Sequence, residues 1–448
     1  MTSIQEASTA SGIPLVELEA LLALPYKRGT CLPRPMTLTS LGFARGVIAD
    51  IRGELDLKLK QGRRDAQAKV ENTFRLIMCN LVSCVFTRER LALPGSNSAY
   101  GINTYYHKLF LTRRSVKAVV GALEGKYIKR KKGNTYKHQV DGYQPTPELE
   151  LKLITLLYLT YETYNPLEPL VILKAEEETV GEIEEEHIMR IRSPGLFDIP
   201  LTPDMDAPIE LETTYESDQA ALTRINEALL GATYALKGPV KRIYSHNNPM
   251  QGGRLYVRLQ SLPDRRARIR INTLFNGKPI AEVDLSANHP RMLMALEGEQ
   301  LPENFYDGIA EESTTSRDKV KFLVMKMVGA RNRGISLVVK EDEANWYKSK
   351  FKMTEAERRR IESVIEEKYP KLYPRLYKGR GIHLQALEGD ILLDAMLTLL
   401  DQQILSLPMH DAIYVQQEHI TQAKTALENA WMHALGVGFK PYTKIDMP

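Results

Sequence analysis

The stretch EVDLSANHPRML, residues 282 to 293, sets a single aspartate where an apolar strand-like run gives way to a helix. Upstream, IAEVDL alternates as a strand does and ends at Asp284, and Pro290 suits a helix's first turn, so a helix is expected from about His289-Pro290. A strand-end aspartate is more often structural than catalytic. What Asp284 does therefore depends on what the rest of the chain brings to it.

A second acid stands in ILSLPMHDAIYVQ (404 to 416), where two apolar runs flank Pro408-Met409-His410-Asp411 and predict a hairpin with Asp411 at its tip. Between the two acids lies RDKVKFLVMKMVGARNRG (317 to 334), an amphipathic helical pattern with Arg317 and Lys321 one turn apart on one face. Two fixed cations at that spacing can grip a triphosphate. Two carboxylates able to hold divalent cations, with such a clamp, are the minimum parts for two-metal phosphoryl transfer.

In order and spacing these segments resemble the polymerase domain shared by bacterial DNA polymerase I-type (family A) enzymes and phage-type single-subunit RNA polymerases. Asp284-Leu285-Ser286 with Arg291 is similar to their first motif. Arg317-x-x-x-Lys321 is similar to the start of the second, with VMKMVGARNRG nearer the RNA polymerase version, and His410-Asp411 is similar to the third. The basic segment GGRLYVRLQSLPDRRARIRI (252 to 271) resembles the one whose Arg and Gln side chains touch template and primer in that family; the matching residues here are Arg254, Arg258, Gln260, Arg265 and Arg266. LQALEGDILLDAML (384 to 397) is similar to the helix that lies along the duplex minor groove.

The resemblance covers about 215 to 448 and implies an α+β right hand: palm strands carrying Asp284 and Asp411, fingers around 317 to 335, and a thumb from the 217 to 236 helix. It implies that both aspartates bind two Mg²⁺ ions, Mn²⁺ being able to substitute, helped by the carbonyl of Leu285. Arg317 and Lys321 would hold the incoming nucleoside triphosphate, next to His289 and Gly329. Three positions depart from the pattern. His289 stands where DNA-polymerising members carry a glutamate that blocks the ribose 2′-hydroxyl, Gly329 where a tyrosine stacks under the sugar, and Ala412 where a second acid follows the third-motif aspartate. Ribonucleotide rejection is thereby in doubt. His289 reads equally as a residue crowding the 2′ position and as a helix cap, and His410 reads as orienting the hairpin rather than transferring protons.

The chain has 448 residues, 43% of them apolar, and a formal net charge of +4, which suits two or three globular domains and names no partner. No apolar run approaches the roughly 20 residues that span a bilayer, and the opening MTSIQEASTASG lacks a signal peptide's layout, so a cytoplasmic location is expected. Cys31, Cys79 and Cys84 form no CxxC pair, and the last two lie in LIMCNLVSCVF, which reads as core.

Residues 1 to 175 read as a mainly helical, basic domain, with helical patterns at 13 to 24, 62 to 87 and 148 to 164. The window 108 to 138 carries ten Lys or Arg against one Glu. It predicts a helix (SVKAVVGALEG), a strand (KYIKR), a turn at Gly133-Asn134 and a second strand (TYKHQV), a layout resembling a winged helix. Lys126, Lys129, Arg130, Lys131 and Lys132, with Tyr127 and Tyr136 interleaved, suit phosphate binding plus base stacking. Seven Glu between 176 and 186 mark 176 to 210 as an acidic connector, after which 211 to 448 forms the polymerase-like domain.

No set of paired acids of the kind a proofreading nuclease needs precedes residue 211, so no exonuclease is expected. A polymerase core with a private basic domain suits a DNA primase or specialised DNA polymerase of a bacterial mobile element, acting on single-stranded or primer-template DNA. That leaves room for a helicase or small accessory protein as a partner, and none for a membrane. The alternative is a catalytically idle relative that binds DNA as a replication accessory.

Overall fold

Strand β9, Lys278–Leu285, organises the C-terminal half because its alternating residues face two environments. The computed structural model describes residues 41–57, 64–133, 140–159, 161–174, 211–245, 248–264, 267–334 and 353–448, with scattered positions among the first forty. The 13 to 24 helix, the strand expected at 135 to 140, Asn134, Tyr136, the acidic connector, Arg265 and Arg266 all lie outside the described residues or almost wholly so.

The elements run in chain order as β1 (Thr30–Cys31), α1 (Arg45–Glu54), α2 (Arg64–Thr87), β2 (Arg90–Ala92), α3 (Arg113–Leu123), β3 (Ile128–Lys131), β4 (Gly142–Pro145), α4 (Pro147–Leu159) and β5 (Val171–Lys174). They continue as α5 (Leu211–Leu229), β6 (Lys241–Ser245), β7 (Asn248–Tyr256), β8 (Leu274–Phe275), β9, α6 (Asn288–Ala295), α7 (Phe305–Glu312), α8 (Arg317–Gly329) and α9 (Glu355–Lys368). Last come α10 (Gly381–Asp401), β10 (Leu407–Met409), β11 (Ala412–Gln416), α11 (Ile420–Leu435) and β12 (Thr443–Asp446). The fold is mixed α and β.

Among the described residues the first sheet has the order β1-β2-β4-β3. Helix α3 enters it through a reciprocal cap between Thr112 and Ser115, and α2 buries Cys79 and Cys84; all three cysteines are free thiols. The strand that returns against β3 is Gly142–Pro145, further along than the TYKHQV strand expected from the sequence. Two more helices end early. The 148 to 164 pattern stops at Leu159, because the Glu162 amide is taken by the Lys237 carbonyl, and the 217 to 236 pattern stops at Leu229, just ahead of Gly231.

The second sheet, β5-β6-β7, joins the two sides of the acidic segment, since β5 pairs in parallel with β6. Its anchor is Arg242, buried and bonded to Asp218 of α5, Asp390 and the Ala386 carbonyl of α10, and the Gly253 carbonyl of β7. Helix α10 crosses β7 so closely that a Cβ on Gly389 would lie 2.0 Å from the Gly253 oxygen. Gly253 itself has φ +70°, a backbone that L side chains rarely adopt.

The third sheet has the order β10-β11-β9-β12, with β8 also on β9. The pairings are antiparallel. One face, Ala281, Val283, Leu285, Ile413 and Val415, is buried, as expected against α11, which packs on β9 and β11. The opposite face carries Glu282 and Asp284 in register with Tyr414, Ala412, Lys444 and Asp446. No helix among the described residues is long and apolar enough to cross a membrane.

Candidate active site

Asp284 is the next-to-last residue of β9 and pairs in register with Ala412, the residue after Asp411. The Leu285 amide donates to the Asp411 carbonyl at 3.1 Å, which ties the strand end to the hairpin turn. The 404 to 416 hairpin thus forms as expected, with Asp411 in the turn between β10 and β11. Gln260 also holds it, donating to the Pro408 carbonyl at 3.1 Å. His410, at φ 56°, and Ala287, at φ 51°, are left-handed non-glycine residues flanking the two acids, a strain of the kind that persists where the surroundings fix the backbone.

The electrostatics of the pair follow from this closeness. Burial, then the Asp411 and Glu282 charges, push the Asp284 carboxyl up to about 8, against the smaller pull of Lys321 and Lys444. Burial and the Glu388 charge push Asp411 up to about 6. Neither carboxylate forms an ion pair with a described residue. A half-buried pair of hard oxygen donors that forms no ion pair with a described residue, with Lys321 and Lys444 close enough to act on Asp284, is chemically suited to Mg²⁺ or Mn²⁺.

Helix α8 begins at Arg317, capped by the Ser316 side chain accepting from the Lys319 amide. It ends at Gly329, short of the 335 expected; 330 to 334 are not helical. Lys321 is exposed and near enough to lower the Asp284 pKa. Arg317 lies over the Tyr306 ring of α7, 5.7 Å from its centroid, and pairs with Asp307 at the surface. A Cβ built on Gly329 would meet nothing within 4 Å, so this position faces open space, while its Cα is where α8 meets α10, 3.1 Å from a Cβ built on Gly381.

His289 is not a helix cap, because the cap of α6 is Ala287 and makes no side-chain bond. Its Nε2 lies 3.0 Å from Oε2 of Glu388 on α10. Glu388 also accepts from Arg254 Nε at 2.6 Å and from Asn288 at 3.2 Å. Burial pushes Glu388 up, but His289 and Arg254 outweigh it and hold the carboxylate below the usual range. Arg291 is a structural clamp: its guanidinium donates to the carbonyls of Ser286, Leu301, Pro302 and Glu303 and lies over Tyr442.

Sequence reasoning did not single out Glu388, Glu282, Lys444 or Tyr306. Glu388 had a signal, a charge inside the apolar run LQALEGDILL, and Glu282 lies two residues before Asp284, hence on the same strand face. Glu282 belongs to a second acid group with Asp264 and Asp446, close enough to share a cation. These acids have partners in the chain: Arg268 donates to Asp446, and Tyr414 to Glu282 at 2.6 Å.

In the first sheet, Lys129, Lys131 and Lys132 are exposed on β3 and the turn after it. Two other candidates are engaged, Lys126 with Glu54 and Arg130 with Asp141 at 2.6 Å. Tyr127 is fully buried and donates to Glu54, so it presents no face for base stacking. Arg258 is partly buried against Gly238.

No protein-family model matches the sequence, and no curated protein matches it. Among solved structures it is similar to the POL domain of Pol1 from M. smegmatis, in complex with DNA primer-template and dNTP, at 12% identity and a TM-score of 0.30 over 99% of this chain and 70% of that one. A superposition of that quality does not establish a shared fold.

Proposed function

We propose that this chain is a template-directed nucleotidyltransferase of the right-hand type, a DNA primase or specialised DNA polymerase. The observation that carries the reading is the Asp284/Asp411 pair, drawn together by register, in no ion pair with a described residue, and close to Lys321. In this reading the β10-β11-β9-β12 sheet is the palm, α8 the fingers and α5 the thumb.

Asp284, Asp411 and the Leu285 carbonyl would hold two Mg²⁺ ions, which when bound activate the attacking hydroxyl and stabilise the leaving pyrophosphate. Lys321 and Arg317 bind the triphosphate; Arg317 exchanges its exposed partner Asp307 for phosphate at little cost. Glu388 holds His289 and Arg254 in fixed positions beside the acids. Arg254, Arg258 and Gln260 lie on the primer-template side, and Lys129, Lys131 and Lys132 grip single-stranded template.

Primer extension and de novo synthesis, each run with rNTPs and dNTPs and with Mg²⁺ or Mn²⁺, test this. The wild-type chain is expected to incorporate nucleotide, and Asp284→Ala or Asp411→Ala to lose about a thousandfold or more, a loss of several kcal/mol of charge stabilisation. Incorporation that survives either substitution refutes the site. No incorporation in any lane, with DNA still bound, favours an idle replication accessory.

A further inference from the structure

Tyr306 on α7 is 5% exposed, and its hydroxyl is fully buried with no hydrogen-bond partner. Buried phenols nearly always find a partner, and a phenylalanine would bury the same ring without an unmet donor. The ring itself is well held, with Phe305 tilted against it at a centroid distance of 5.1 Å and the Arg317 guanidinium over its face.

The charged groups close enough to act on Tyr306 are Arg317, which stacks on its ring, Arg291 and Asp411. Arg291 is already used by four carbonyls. No described side chain has taken the hydroxyl, which points to a partner supplied from outside the chain. A neutral phenol is a donor, and its best acceptor is an anionic oxygen. The cation stacked on the same ring would bring such an oxygen to this place.

We propose that the Tyr306 hydroxyl is a further substrate contact, donating a hydrogen bond to a phosphate oxygen of the nucleoside triphosphate gripped by Arg317 and Lys321. The inference rests on the nucleotidyltransferase reading of the site and adds to it a residue no motif contains. It also separates two functions of one side chain: the ring supports Arg317, and the oxygen reads the substrate.

The test is calorimetric binding of dATP, ATP and inorganic tripolyphosphate, with Mg²⁺, to the full-length wild type, Tyr306→Phe and Arg317→Ala, together with each protein's unfolding temperature. Tyr306→Phe keeps the ring, so it is expected to melt at or above the wild-type temperature. It should weaken all three ligands alike, by about tenfold or more. Unchanged binding by Tyr306→Phe, where Arg317→Ala binds poorly, overturns the inference and leaves the site reading intact. A loss confined to the two nucleotides also overturns it, because the hydroxyl would then read sugar or base. If the wild type binds none of the three, the nucleotide reading falls and this inference with it.

Discussion

Burial, joined by the charges of neighbouring acids, raises the Asp284 and Asp411 carboxyls at the end of one antiparallel ladder, and that makes stability depend on pH. An unfolded chain titrates aspartate near its ordinary value of about 4. In the fold Asp284 is pushed up to about 8 and Asp411 to about 6. The native state therefore holds more protons than the unfolded state between those limits, and its stability falls as pH rises through about 4 to 8. Without divalent cations the melting temperature should drop across that range by a few degrees, and Asp284→Asn should flatten the trend. Added Mg²⁺ should raise the wild-type melting temperature more at pH 8 than at pH 6, because protons compete for the same oxygens. Equal Mg²⁺ shifts at both pH values, or an equal shift in Asp284→Asn, would remove these carboxylates as the ligands.

At the scale of elements, the contact that aligns the site is α10 lying on β7. It sets Glu388 between Arg254 and His289, and it depends on Gly389 having no side chain. A methyl group there meets backbone that cannot yield, so Gly389→Ala should destabilise the protein by about 3 kcal/mol, beyond an ordinary overpacked site, as read from urea unfolding. Gly231→Ala, where a Cβ meets nothing, is the control. Some elements were legible in the sequence because their pattern and their surroundings agree. The strand that ends beside Asp284 and the hairpin that turns at Asp411 were legible because a strand end and a hairpin tip have local signatures. The ends of α4 and α5 were not: past Leu159 another segment's carbonyl takes the Glu162 amide, and α5 stops at Leu229 with no change of pattern to mark it. Glu388 and Tyr306 were missed for a similar reason: their importance lies in what another element brings beside them.

For the whole molecule, the proposed grip on nucleic acid is narrower than the charge count of the basic window. Of the five candidates between 126 and 132, Lys126 and Arg130 are already paired with Glu54 and Asp141, leaving Lys129, Lys131 and Lys132 to meet phosphates. Replacing those three by alanine should lower the slope of log affinity for single-stranded DNA against log salt by about 2, since each released counterion contributes about 0.7. A Lys126→Ala chain should keep the wild-type slope. If the triple variant also keeps it, the hairpin does not touch the strand.

The register that joins Asp284 to the hairpin also sets a timetable for the protein's birth. Strand β9 pairs with β11 and β12, both made more than a hundred residues later. At about 5 to 20 residues per second, on the order of ten seconds separates the synthesis of Asp284 from that of Asp411. During that interval β9 has only the short β8 of its own sheet beside it. Its apolar face, Ala281, Val283 and Leu285, waits for a cover and its edge for a neighbour, which leaves this stretch of nascent chain in need of shielding.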